Sequence, residues 1–300
     1  MKKSIVCFIV ILVVALSFVL PKIAHAASAI NDILPVGARS LPIDNTIGKR
    51  PAGANFSENG YQDDTIIVRM DRQRMYNSDV FIAHVKIANA SQLRTAYAGK
   101  SISSTRTNQT SRLSEKFNAV VAINGDYYSK TKSGYIVRQG EVYRRKTSDN
   151  MDLLLVDELG NFHILLRGHN EQTAAIETFL IDHQIINGFF FGPALVVNGE
   201  VQDIPKNYRF DPHSKNPRAA IGQTGPLSYV MVVVNGRSTT SAGISIAELA
   251  EIMNDLQCWQ AYNLDGGNSA TLAFNGEVYS SKPQAERDIN DIIYFASAAD

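Results

Sequence analysis

Ser245-Ile-Ala-Glu-Leu-Ala-Glu-Ile-Met-Asn-Asp-Leu-Gln-Cys-Trp-Gln-Ala-Tyr-Asn-Leu-Asp-Gly-Gly-Asn-Ser-Ala-Thr271 contains, in order, a helix, a strand and a polar cluster. Ser245 and Glu248 have the spacing of a capping box, which satisfies orphan N–H groups at a helix start. Behind it, Ile246, Leu249, Ala250, Met253 and Leu256 recur at helical spacing. The helix delivers the chain to a short strand over 259–264, which ends on Asp265 and two glycines. A strand that stops on a carboxylate followed by Gly-Gly leaves an acid and exposed backbone at its mouth.

Working outward, the run 227–234 is strongly β-prone and ends in Asn235-Gly236, a tight-turn pair. Residues 65–70 and 80–87 are strand-like. A helix closing over 111–117 feeds the apolar strand 119–123. The stretches 151–156 and 161–166 resemble a hairpin across Glu158-Leu159-Gly160. Three similar phrases, Gln139-Gly-Glu-Val142, Asn198-Gly-Glu-Val201 and Asn275-Gly-Glu-Val278, each look like a hairpin tip. Strands outnumber helices, and the helices are scattered. This order predicts an α+β fold, a single domain with a mixed, largely antiparallel sheet and packed helices.

A second polar cluster, Asn124-Gly125-Asp126, follows the strand 119–123, with Tyr127 and Tyr128 behind it as candidate stacking surfaces for a sugar ring. On the local sequence alone, a turn that satisfies only its own backbone is the better explanation of these residues. Around Asp265, Gly266 and Gly267 could form an anion nest, flanked by Asn268, Ser269 and Thr271. Arg218 opens a strand of small residues; a guanidinium can grip two phosphate oxygens at once, although a surface ion pair is its ordinary meaning. His213 reads as a surface residue, and Phe189-Phe-Phe-Gly-Pro193 as core packing with a rigid turn.

Lys2 and Lys3, the apolar run 5–20 and Ala24-His25-Ala26 have the order of a secretory signal peptide, with cleavage expected after Ala26. The run is somewhat short for a membrane span of about 20 residues. Residues 27–60 read as an extended lead-in or linker, and 61–300 as the catalytic body. Removing Lys2, Lys3 and Lys22 turns the zero net charge into −3, so no global field attracts nucleic acid or anionic lipid. Cys7 leaves with the signal, and Cys258 alone can form neither an internal disulfide nor a cysteine-based zinc site.

Ile123-Asn-Gly-Asp-Tyr-Tyr128, Phe191-Gly-Pro-Ala-Leu-Val196, Pro217-Arg-Ala-Ala-Ile-Gly222, Asn263-Leu-Asp-Gly-Gly-Asn-Ser-Ala-Thr271 and Ile289-Asn-Asp-Ile-Ile-Tyr-Phe295 occur in the order of the phosphodiester glycosidase domain, which the chain resembles over roughly 80–297. The resemblance implies a hydrolase that cleaves the glycosidic C–O bond of a sugar-1-phosphodiester, here in cell-wall or extracellular glycans. It also implies Asn124, Asp126, Arg218, Asp265, Gly266, Gly267, Asn268 and Ser269 as site positions. Two of these depart from the family pattern: Asp126 stands where many relatives carry Gly, and Asn268 where Gly or Ser is frequent. The expected roles are Asp265 as base or nucleophile and Asp126 as second acid or sugar binder. Arg218, with the N–H groups of Gly266 and Gly267, is expected to hold the phosphate, while Asn124, Asn268 and Ser269 orient the sugar. No cofactor is required, and a divalent cation is left open. The rival readings are a metal-dependent phosphodiesterase using Asp126 and Asp265, and a non-catalytic wall-glycan binder. Nucleic acid and stable membrane insertion are not expected.

Overall fold

The computed structural model describes residues 40–280 and 285–299; the expected export segment 1–26 lies outside them. Among the described residues, three helices, α1 (Thr110–Lys116), α2 (His169–Asp182) and α3 (Ile246–Asp255), accompany three β-sheets. None of these helices is long and apolar enough to cross a membrane.

The large sheet has nine strands, and its centre is the sequence Ile66–Met75, Ser78–Ile87, Ser228–Val234, Arg218–Gly225 and Gln260–Leu264. Alternation explains its two faces, because successive strand residues point to opposite sides. Val68, Met70, Phe81, Ala83, Val85, Met231 and Val233 face the main core, which they share with Val121, Ile123, Leu154, Val156, Ile293 and Phe295. The intervening residues Val80, Ile82, Val230, Val232 and Val234 pack against Ile246, Leu249, Ala250 and Met253 of α3. Buried Cys258 belongs to this second core, where a Cβ on Gly222 would come within 2.5 Å of its Sγ.

The other two sheets have five strands each. One orders Phe162–Leu165, Leu153–Asp157, Ile185–Phe189, Gly134–Arg138 and Glu141–Lys146; the other orders Glu277–Val278, Leu272–Phe274, Val121–Asn124, Asp291–Phe295 and Leu93–Tyr97. Every strand pairing among the described residues is antiparallel. The architecture is α+β, as expected, with three antiparallel sheets in place of one mixed sheet.

The three repeated phrases are hairpin tips. Gln139-Gly140, Asn198-Gly199 and Asn275-Gly276 all have φ between 48° and 81° at both positions, the left-handed pair that matches the twist of the flanking strands. Residues 40–52 hold no helix or strand, yet they are strapped to the body. Buried Arg94 donates to the Pro42 and Asp44 carbonyls at 2.8 and 2.9 Å, and Asn118 Nδ2 donates to the Gly48 carbonyl at 2.5 Å. One helix escapes the sequence reading: α2 buries only Gln172 and Ile176, so it has almost no apolar stripe to announce it.

Candidate active site

All three sheets send a strand end to one place. Val121–Asn124 ends on Asn124, and its neighbour begins on Asp291, with Ile292 opposite Asn124. Gln260–Leu264 in the large sheet runs directly into Asp265, and Gly134–Arg138 in the remaining sheet ends on Arg138. Asn124 joins the two motifs: its Nδ2 donates to the Asp265 carbonyl at 2.7 Å, and its Oδ1 accepts the Thr271 N–H at 3.1 Å. Fully buried, it is a clip between strand ends with no free edge for a sugar.

Asp126 is enclosed as well. Its Oδ1 accepts from Arg138 Nη2 at 2.6 Å and from the Tyr128 N–H at 3.1 Å, while Oδ2 accepts the Phe190 N–H at 2.6 Å. Arg138 turns its Nε to Asp291 Oδ2 at 2.6 Å, and its Nη1 donates to the Val137 and Gly188 carbonyls. The guanidinium lies between the rings of Phe189 and Tyr128, at 4.3 and 5.2 Å. A buried charge is tolerable only when paired and hydrogen-bonded, and here one cation serves two carboxylates. Tyr128 is part of this packing, with its hydroxyl on the Ile102 carbonyl at 2.8 Å; it offers no face to a ligand.

The small cleft beside this cluster is lined by Gly125, Tyr127, Lys130, Asp265, Ser269, Arg287, Asn290 and Asp291 among others. Burial pushes the Asp265 carboxyl up to about 6, against the pull of the Ser269 hydroxyl and the Arg287 guanidinium; Asp126 adds to the rise, and the Gly266 N–H opposes it. The Ser269 Oγ is buried without a fully formed hydrogen bond, so its pull on Asp265 reflects proximity. Burial also raises Asp291 to about 6, with Arg138 opposing and Asp126 and Asp265 reinforcing. Gly125 must be glycine, because a Cβ there would fall 2.2 Å from Asp291 Oδ1. Tyr127 holds a left-handed backbone, φ 67°, an uncommon state for a bulky residue that clusters at functional sites. Arg287 sits over its ring at 5.4 Å, and Phe210 meets the ring edge-on at 6.5 Å.

Arg218 differs from the expectation. Its Nε donates to the Ile244 carbonyl at 3.1 Å, and its Nη2 to the Asp211 and Ser214 carbonyls at 2.9 and 2.7 Å. It is buried, and these bonds make it a brace for the 211–217 loop; it does not line the cleft. Likewise the Gly267 N–H donates to the Pro217 carbonyl at 2.8 Å, and the Gly266 N–H pulls on Asp265. Neither leaves the open nest read from the glycine pair. Asn268 is exposed, its Oδ1 taken by Arg237 Nη1 at 3.3 Å. The cations that do reach the cleft are Arg287 and Lys130. Arg138, Asp291 and Arg287 escaped the sequence reading; the signal for the first two is a charged residue set against the end of a wholly apolar strand. Among the described residues no group of three or more His, Cys, Asp or Glu side chains is placed to hold a metal ion.

Comparison with known proteins agrees with the fold. The catalytic domain of zebrafish N-acetylglucosamine-1-phosphodiester alpha-N-acetylglucosaminidase, in a form auto-inhibited by its pro-peptide, superposes with a TM-score of 0.59 at 17% identity, covering 77% of this chain and 83% of that one. A hypothetical protein from Synechocystis gives 0.52, also at 17% identity, over 77% of this chain and 62% of that one. The SPbeta prophage-derived uncharacterized protein YomE of Bacillus subtilis is 34% identical over 114 residues, 38% of this chain and 17% of its own length. The profile of the phosphodiester glycosidase family matches residues 117–296, a span that takes in Asn124, Asp126, Arg138, Asp265, Arg287 and Asp291, and the chain belongs to that family.

Proposed function

We propose that the protein hydrolyses the glycosidic C–O bond of a sugar joined through its anomeric carbon to a phosphodiester, releasing the free sugar and a phosphomonoester. The observation that carries this reading is Asp265: a carboxyl held near pKa 6 by burial, opening on a cleft whose cations are Arg287 and Lys130. Phosphate is a good leaving group, so the reaction needs little general acid. It does need positive charge for the departing oxygens and a carboxylate facing the oxocarbenium-like carbon. Arg287 and Lys130 take the first role and Asp265 the second, as base or nucleophile. Asp291, a buried carboxyl that shares the cleft wall with Asp288, is the second titrating group. Tyr127, stiffly held at the rim, supplies the sugar-facing surface. Asp126, Arg138 and Asn124 hold these groups in place, and Arg218 braces the neighbouring loop.

Hydrolysis in ¹⁸O-labelled water separates this chemistry from phosphodiesterase chemistry. Label on the anomeric hydroxyl of the released sugar is expected; label on the phosphate would show P–O cleavage and overturn the glycosidase reading. The divalent-cation alternative is tested in the same assay, where turnover is expected to persist after chelation. Export is part of the proposal, resting on residues 1–26, and places the substrate among extracellular or cell-wall glycans; a secreted product beginning at Ala27 is the expected result of N-terminal sequencing.

A further inference from the structure

A second cationic position lies against the Gly266-Gly267 turn, on a residue that does not line the cleft. Arg237 follows the strand Ser228–Val234, and its backbone is left-handed, φ 60°. Its guanidinium is fixed by neutral acceptors only: Nε and Nη2 donate to Asn216 Oδ1 at 3.1 and 2.8 Å, and Nη1 donates to Asn268 Oδ1 at 3.3 Å. Among the described residues no carboxylate pairs with it, although it is exposed. It lies against Gly267, where a Cβ would come 3.4 and 3.5 Å from Nη1 and Nη2. On the other side of the turn a Cβ on Gly266 would come 3.8 Å from Arg218 Cδ. The two arginines are near enough that the Arg237 charge helps to depress Arg218, after burial and against the opposing pull of Asp211.

An exposed arginine normally swings freely, since a surface cation gains little from one fixed geometry. Here three hydrogen bonds and an uncommon backbone conformation hold a positive charge next to another, an arrangement that favours an anion between solvent and the turn. Gly267 is two residues from Asp265, so their Cα atoms are at most about 7.6 Å apart. The guanidinium therefore stands against the same short turn that carries the reacting carboxyl. We infer that Arg237, with Asn216 and Asn268 as its mounts, is an anion subsite for the next phosphodiester of a repeating substrate, so that the protein acts on a phosphate-linked polymer in preference to an isolated sugar phosphodiester. This rests on the reading of Asp265 given above.

The test uses synthetic oligomers of one, two and four glycosyl-1-phosphate repeats with the full chain. For the wild type, kcat/KM on the four-repeat oligomer is expected to exceed that on the single repeat at least tenfold. In Arg237→Gln the ratio should fall toward one through a higher KM on the longer oligomers, and Arg237→Lys should keep part of it. A wild type with no length preference, or a variant that keeps the preference or loses kcat equally on every length, would overturn the subsite. Calorimetric binding of the same oligomers to Asp265→Asn protein keeps the two readings apart. Length-dependent binding abolished by Arg237→Gln supports the subsite even without turnover, and binding indifferent to Arg237 removes it even where the hydrolase stands.

Discussion

Asp265 shows how one residue's surroundings set its chemistry. Its carboxyl is raised from 3.8 to about 6, chiefly by burial. A raised acid stabilises the fold fully below its unfolded pKa, and that contribution is lost as pH rises through the folded pKa. From about pH 3 to about pH 7 the loss amounts to about 3 kcal/mol. Asp265→Asn removes this dependence, so urea unfolding should find the variant gaining on the wild type between about pH 4 and pH 6 and holding a constant margin above that. Its activity should fall by about 10²- to 10⁴-fold. In the wild type kcat/KM should climb with pH through about 6, because the ionised carboxylate is the working form; a flat profile there would remove Asp265 from the reaction. The gain in stability together with the loss of turnover would mark a site held in a costly state for use.

At the scale of elements, α3 owes its start to a reciprocal pair. Ser245 Oγ accepts the Glu248 N–H at 3.2 Å, and Glu248 Oε2 accepts the Ser245 N–H at 2.8 Å. Ser245→Ala should cost about 1 kcal/mol in thermal or denaturant unfolding while leaving kcat intact, since α3 packs on the opposite face of the large sheet from the main core. This helix, the strand cores 65–70 and 80–87, the hairpin across Glu158-Leu159-Gly160 and the three Gly-containing tips were legible because their signals are local: a cap, a period of two, a turn pair. The helix α2 was not, because a segment burying only Gln172 and Ile176 leaves no periodic trace. Site residues divide on the same physical ground. Asp265 announces itself through adjacent glycines, whereas Arg138, Asp291 and Arg287 depend on contacts between strands and loops far apart in sequence. Arg218 looked like an anion grip because a strand start says nothing about which carbonyls will surround it.

For the whole molecule, the central fact is that Arg138, from one five-stranded sheet, pairs at 2.6 Å with both Asp126 and Asp291, which border strands of the other, while Asn124 ties that second sheet to the Asp265 loop of the large one. Arg138→Met would leave two buried carboxylates uncompensated, at a cost of about 3–5 kcal/mol. The deficit should be larger above pH 6, where Asp291 is ionised, and smaller below it; equilibrium unfolding at pH 5 and pH 8 checks both magnitude and sign. Equal deficits at the two values would mean that Asp291 does not depend on Arg138 for its charge.

The packing of Cys258 has a consequence for redox behaviour. Its sulfur is wedged beneath α3, close against Gly222, and burial drives the thiol well away from ionising. A suppressed thiolate neither attacks a disulfide nor takes up oxygen readily, so oxidising and reducing surroundings should leave Cys258 of the folded protein alike, and dimers cross-linked through Cys258 would report chains that had already come apart.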